Sequence, residues 1–205
     1  DGVGFAAGIE RRVEKLSNSV DAEFATGDLA GQDGATLSIN GQFTVTEPYF
    51  EFRVPVLQRL PWAYDLTFTG AYRYSSYSTD KTTNSYGIGA DWAPIREAKV
   101  RGSYQQAVRA ANVVELFLGT GFNLFGGTDP CSGPTPAATL AQCARSGVTA
   151  AQYGSIPGSP AGQYNFLQGG NPNLEPETAK TYTFGGVLQF PNFSATLDYW
   201  HYKIE

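Results

Sequence analysis

KVRGSYQQAVRAANVVELF (residues 99–117) and GGNPNLEPETAKTYTFGGVLQF (residues 169–190) decide how this chain is read. In the first, Val100, Gly102 and Tyr104 alternate with Arg101, Ser103 and Gln105. In the second, Tyr182, Phe184, Gly186, Leu188 and Phe190 share one face. A period of two is the mark of a strand, because successive side chains point to opposite faces. Between them, from about Ala110 to Thr178, lies a stretch rich in Gly, Pro and Ala with no sustained period. Short helical turns are expected inside it, for example around Ala137–Ala144. The unit is therefore a strand, a long excursion and a second strand.

The chain on either side is a set of hairpins. Gly2–Leu16 places Val3, Phe5, Ala7 and Ile9 on one face and Gly4, Ala6, Gly8, Glu10 and Arg12 on the other. Ser17–Gln42 loses the pattern in a run of Asn, Asp, Gly and Ser, and reads as a long loop. Phe43–Leu57 sets Phe50, Phe52, Val54 and Val56 against Glu51 and Arg53. Pro48 and Pro55 each remove a ladder donor, so bulges or gaps are expected there. Leu66–Tyr77 sets Leu66, Phe68, Gly70, Tyr72 and Tyr74 against Thr67, Thr69, Ala71, Arg73 and Ser75. Ser85–Trp92 is the fourth strand, and Ser194–Ile204 the seventh after a tight turn at Pro191-Asn192. In the seventh, Ala195, Leu197 and Tyr199 share a face, but Trp200, Tyr202 and Ile204 fall on the other, which leaves its register ambiguous.

The composition agrees with a sheet. Charged residues are 16%, below the usual quarter. Aromatics are 14%, with twelve Tyr, thirteen Phe and no Met, a palette suited to a pleated surface. No run approaches the roughly 18 apolar residues of a spanning helix, although barrel strands cross with about ten alternating residues. The net charge of −5 and the lack of a basic stripe argue against nucleic acid as a partner. Cys131 and Cys143 stand in the long loop without a nearby His, too few ligands for a metal. A disulfide in an oxidising compartment is the preferred reading, and two free thiols in a cytosolic protein the alternative. The pattern opens in mid-strand at Asp1 and breaks off in mid-strand at Glu205, and the chain is read as a piece of a longer one.

Two regularities bear on architecture. The apolar face is aliphatic in mid-strand and often aromatic near the ends, at Trp92, Tyr72, Tyr74 and Phe190. Connections after strands 1 and 5 are long, and those after strands 2, 4 and 6 are short. A transmembrane barrel has this form, with lipid outside, a wet lumen within, and short turns opposite long loops. A soluble β-sandwich would alternate similarly but would hide its apolar face in a core. The expected fold is all-β: about seven antiparallel up-and-down strands forming part of a transmembrane β-barrel, with a long external loop over about 110–178.

RGSYQQAVRAANVVELF and GGNPNLEPETAKTYTFGG resemble the barrel of TonB-dependent outer-membrane receptors. In that family an RGSY…AVRAPN…ELF strand end leads into a long external loop that returns through a GNPxLxPE(T/S) segment. The matching positions are Arg109, Asn112, Glu115, Phe117, Asn171, Pro172, Leu174, Pro176 and Glu177. Ala111 departs, since the family usually has Pro there. The resemblance runs over essentially the whole chain, read as residues 1–205 of a partial barrel. It implies about 22 strands around a plugged lumen, with the plug domain and the remaining strands outside this sequence. It also implies residence in the bacterial outer membrane, contact with outer-membrane lipid, and energy from a TonB-type complex. The cargo would be a scarce solute such as a siderophore, cobalamin, an oligosaccharide or a peptide.

Site expectations follow. Pro172 and Pro176 stiffen the return into the strand, and Asn171 before Pro172 is pushed to an extended form. Arg109 and Glu177 flank the excursion at corresponding ends and are expected to form an ion pair. Tyr153, Tyr164 and Phe166 are candidates for stacking on a sugar or aromatic ligand at the external loop. Arg12, Glu51, Arg53, Arg73 and Arg101 are expected to face the lumen, where they contact the plug or the passing solute or pair among themselves. GVGFAAG (residues 2–8) is a near miss for a dinucleotide fingerprint without a following helix. Asn192-Phe193-Ser194 fits a glycosylation sequon but sits in a tight turn, and the lone His201 has no nucleophile visibly paired to it. No catalysis and no cofactor are expected. A passive porin-like channel and a soluble β-sandwich binding module are the alternatives.

Overall fold

The computed structural model describes residues 2–30, 32 and 34–205. Asp1, where the pattern opens, and Gly31 and Asp33 of the first long loop lie outside the described residues. The chain divides into two compact units. One takes in the chain up to Leu16, Gly41–Leu116 and Asn171–Glu205, and the other Ser17–Asn40 and Phe117–Gly170.

The first unit is built on one sheet of seven strands in chain order. They are β1 (Gly4–Asn18), β2 (Ile39–Leu60), β3 (Ala63–Tyr77), β4 (Thr82–Ile95), β5 (Ala98–Arg109), β8 (Glu177–Phe190) and β9 (Phe193–Ile204). The strands β6 (Gly121–Gly126) and β7 (Gln163–Gln168) belong to the second unit. Every pairing from β2 to β9 is antiparallel. One end of the sheet carries the tight turns Pro61-Trp62, Arg96-Glu97 and Pro191-Asn192. The other carries residues 19–38, 78–81 and 110–176. The expected asymmetry of short turns and long loops is present. β2 begins at Ile39, inside the stretch read as loop, and β8 begins at Glu177, so the excursion ends at Pro176.

Prolines explain the breaks in the ladder. Pairing of β2 with β3 skips from Thr46 to Tyr49 across Pro48, and the register shifts between Pro55 and Leu57. The β4–β5 register shifts between Trp92 and Ile95, the interval that holds Pro94. Each proline lacks the donor a continuous ladder needs. β8 and β9 pair without a shift from Phe190↔Phe193 to Ala179↔Ile204. This settles the seventh strand. Leu197 and Tyr199 stand on the face of Gly186 and Phe184, and Trp200, Tyr202 and Ile204 stand on the opposite face.

The two faces differ as solvents differ. One exposes Phe5, Ile88, Phe184 and Leu197, the last at 82%. Among the described residues no second sheet covers it, which is not what a sandwich requires. Tyr72, Tyr86, Tyr104 and Tyr182 line its long-loop side, with ring centroids of Tyr104 and Tyr182 at 4.7 Å. Trp62, Trp92, Phe190 and Phe193 line its turn side, where the Trp92 Nε1 donates to the Trp62 carbonyl at 3.0 Å. Between Tyr182 and Phe190 the strand advances roughly 26 Å at about 3.3 Å per residue. That matches the apolar band of a membrane barrel flanked by aromatic girdles. The other face carries Thr, Ser, Gly and charged residues.

A charge test follows. Phe68 pairs with Ala90 in the middle of the outward band, and Thr69, one residue on, faces inward. Phe68→Arg should cost about 2–4 kcal/mol of folding stability in lipid vesicles, and Thr69→Arg about 1 kcal/mol or less. Equilibrium denaturation of the full-length barrel measures both.

Candidate functional site

The base of the long loop is a knot of the motif residues. Arg109 ends β5 opposite Glu177, the first residue of β8. Its Nε and Nη2 donate to the two Glu177 carboxylate oxygens at 3.0 and 2.9 Å. The expected ion pair is formed, and in forked geometry. Its Nη1 turns to Glu115, at 3.1 and 3.0 Å from the two oxygens. Glu115 lies in a short helix, α1 (Val113–Phe117), which starts where the strand stops. Asn112 Oδ1 accepts from the Glu115 amide at 2.9 Å, and the Asn112 amide donates to Glu115 Oε2 at 2.8 Å. This is a reciprocal capping box with Asn at the cap and Glu three residues on. The Asn112 amide, then the Arg109 guanidinium, hold the Glu115 carboxyl below its ordinary pKa.

The return segment is tied to the same helix. The Asn171 amide donates to the Glu115 carbonyl at 2.8 Å, and Asn171 Oδ1 accepts from the Asn173 amide at 3.0 Å. Leu174 and Pro176 line a cleft with Phe43, Tyr77, Ala111 and Leu116. Phe43, Val45, Val113 and Leu116 are buried at this end of the sheet. Pro172 is exposed on the return, and Phe117 is half-buried at the end of the helix. Lys81 pairs with Glu175 beside the knot. Ala111 stands in this cleft where a proline was expected, and the capping box begins directly after it.

The inner wall sorts its charges into bound and open groups. Glu47 is the most enclosed, its side chain only 4% exposed, and it accepts from Arg12, Arg73 and Ser75. An enclosed carboxylate needs such partners, and removal of one costs about 3–5 kcal/mol. Arg12 also pairs with Glu10 and Glu14, and Arg73 with Glu10. The Arg73 guanidinium sits 5.0 Å from the centre of the Tyr49 ring. Arg101 grips Asp198 with Nε at 3.0 Å and Nη2 at 2.7 Å, across the intervening β8. Gly185 lies beneath that bridge, where a Cβ would stand 1.9 Å from Asp198 Oδ1. Glu51 and Arg53 make no ion pair among the described residues. They line a cavity of about 770 Å³ with a small, polar floor of Thr69, Ser85, Gly87 and Ser103.

In the second unit β6 and β7 form a hairpin inside the stretch read as aperiodic. The alternation of Phe122-Asn123-Leu124-Phe125 and Tyr164-Asn165-Phe166-Leu167 is its sequence signal, too short to stand out in so long a segment. Phe166 meets Phe125 edge-on at 6.0 Å, and Tyr164 lies 5.9 Å from Phe125. Phe125, which the sequence reading passed over, is the centre of this ring cluster. The Tyr164 hydroxyl accepts from the Asp129 and Ser159 amides, both at 3.3 Å. Tyr153 is half-buried and donates to the Ala138 carbonyl at 2.8 Å. Cys131 and Cys143 are joined, with Cys143 fully buried. The expected helical turn is α2 (Leu140–Cys143), capped by Thr139. Three expected ligand-facing rings thus divide: Phe166 stays open, Tyr164 is anchored by its hydroxyl, and Tyr153 braces the disulfide loop.

Residues 9–205 match the family model described as TonB dependent receptor-like, beta-barrel. Among solved structures, that of the siderophore receptor PirA from Acinetobacter baumannii superposes with a TM-score of 0.63 at 13% identity. The match covers 99% of this chain and 24% of that one, so the chain spans about a quarter of its length. At this identity the likeness speaks to the fold. No curated protein matches the chain.

Two outcomes are expected. Gly185→Ala forces Asp198 away and meets the Leu197 carbonyl at 2.9 Å as well, and should destabilise the barrel by about 1–3 kcal/mol in the denaturation assay. Because the Glu115 pKa is lowered in the folded chain, its hydrogen bonds are present above the unfolded value and fail as pH falls through the folded one. Protection of the Asn112 amide in hydrogen exchange should therefore persist below pH 4.5, the ordinary value, and disappear at lower pH. In Glu115→Gln the pH dependence should be gone.

Proposed function

The chain belongs to the TonB-dependent receptor β-barrel family, and on that premise we propose that it is one wall of an outer-membrane receptor that captures a scarce solute and imports it with energy from a TonB-type complex. The observation that carries this reading is the opposition of faces in one sheet. An apolar band between two aromatic belts suits lipid, and a small, polar, charge-bearing wall suits a lumen. The rest of the barrel, the plug and the energising partner belong to the proposal.

Roles follow from how each group is engaged. Arg12, Arg73 and Arg101 are held by carboxylates on their own wall, so they stiffen the barrel. Glu51 and Arg53 are left to meet the plug or the passing solute. On the long-loop side, the ring cluster of Phe125, Tyr164 and Phe166 is the solute-facing surface, with the Cys131–Cys143 loop as its support. Rings fixed in this way offer contact area at little cost in entropy. Ferric siderophores are the first class to test, followed by cobalamin, oligosaccharides and peptides.

Uptake of each labelled solute is compared between cells with and without the full-length gene, before and after a protonophore. Receptor-dependent, protonophore-sensitive uptake of one class is expected. Uptake indifferent to the protonophore would replace the active receptor with a porin-like channel. For the solute so identified, Phe125→Ala/Phe166→Ala should weaken binding about tenfold while the barrel still runs as a folded, heat-modifiable band.

A further inference from the structure

Two large rings stand exposed on the inner face of β9. Trp200 pairs across the sheet with Thr183 and Tyr202 with Thr181, which puts both rings on the side of Asp198 and Arg101. They stack on one another, 14° from parallel with centroids 5.4 Å apart. Even so, Trp200 is 63% and Tyr202 57% exposed. Along the same two rows the strands from β3 to β8 present only Gly, Ala, Ser, Thr and Gln. An exposed apolar patch rimmed by polar residues marks a place of contact.

The pair stands near the long-loop end of the wall. Thr181, opposite Tyr202, is four residues inside Glu177, where the long loop returns, roughly 13 Å at about 3.3 Å per residue. No open cation adjoins the rings on this face among the described residues. Arg101, one row toward the turns, is held by both oxygens of Asp198. Arg53 stands at the far end of the Trp200 row, and Lys99 lies nearer the turns. What adjoins the rings is neutral. Gln105 is exposed, and neither its amide nor the Thr181 hydroxyl has a partner among the described residues. The Ser103 and Thr183 hydroxyls share a hydrogen bond at 2.6 Å.

We propose that the Trp200–Tyr202 stack is a platform for a neutral saccharide, so that the solute carried is an oligosaccharide. The chemistry of the wall selects this occupant. A pyranose offers a face of C–H groups to an aromatic ring, while the hydroxyls around its rim need neutral donors and acceptors within reach. An anionic iron chelate would need an unpaired cation beside the rings. Rings already ordered against each other add contact area at little entropic cost. The inference rests on the receptor reading and narrows its solute classes to one.

The test applies the full-length receptor, in neutral detergent, to an immobilised array of neutral and acidic oligosaccharides. The best ligand is then titrated by calorimetry. At least one neutral oligosaccharide should bind, with an affinity that changes little as salt rises. Trp200→Ala/Tyr202→Ala should weaken it about thirtyfold while the barrel remains heat-modifiable, and Trp200→Phe about threefold or less. Tyr199→Ala, on the lipid face of the same strand, should leave it intact. Binding of no oligosaccharide overturns the proposal. So does a preference for acidic ones that fades with salt, or undiminished binding in the double variant. Should the double variant fail to fold, the array and the salt series on the unaltered receptor still decide. Protonophore-sensitive uptake of another solute class, with no oligosaccharide bound, would remove this inference and leave the receptor reading standing.

Discussion

A strand that crosses a bilayer must give every amide and carbonyl to its neighbours, because lipid offers them no partner. The rest of this structure depends on that constraint. It forces a register across β3, β4, β5, β8 and β9 that shifts only between Trp92 and Ile95, and a register held over that span aligns side chains into rows. Arg53↔Thr69↔Gly89↔Ser103↔Thr183↔Trp200 is one such row on the inner face. Prolines are tolerated where the ladder gives way, at the shifts near Pro55 and Pro94 and the gap at Pro48. A single slipped residue would send Arg73 into lipid and Phe68 into the lumen, so pairing and patterning constrain one another.

The same rows explain how the wall carries charge. Arg101 reaches Asp198 two strands away only because the residue between them is Gly185. Glu47 is enclosed only because Arg12, Arg73 and Ser75 converge on it from β1 and β3. A pair of exposed charges contributes little by itself. In a row, each pair fixes a long side chain that would otherwise project into the lumen, and so helps decide which charges remain available there. Among the described residues this sorting leaves Glu51 and Arg53, with Asp65, Asp91 and Lys99 nearer the turns, outside any ion pair.

Much of this was legible in the sequence because period two is a strong signal over a long strand. Phe68, Phe184 and Leu188 were assigned outward, and Thr67, Arg73 and Arg101 inward, from alternation alone. The pairing of Arg109 with Glu177 was legible for a different reason, since the two bracket one excursion. What alternation could not supply was the identity of cross-strand partners at a distance. Nothing in the local sequence links Arg12 with Glu47 or Arg101 with Asp198, because both depend on register between strands. The β6–β7 hairpin escaped notice because six residues per strand give too few periods inside a long Gly- and Pro-rich segment. Trp200 and Tyr202 confused the last strand because aromatics occur on both of its faces, and the unbroken β8–β9 register was needed to resolve them.

The loop base shows why rigidity is placed where it is. Loop closure costs little more as a loop lengthens, so a long excursion is tolerated provided its ends are secured. Here both ends are secured at one residue, Glu115. Glu115 receives Arg109 from the outgoing strand and caps its own helix through Asn112, while its carbonyl receives Asn171 from the return. Glu177 closes the circle through the same guanidinium. Five residues from the two ends of the excursion therefore share one small network whose geometry is set by the β5–β8 register. The loop beyond it is free to vary in length and content without disturbing the strands, and the ring cluster and the disulfide it carries need be ordered only by their own contacts. The knot of Arg109, Glu115 and Glu177 provides that separation physically.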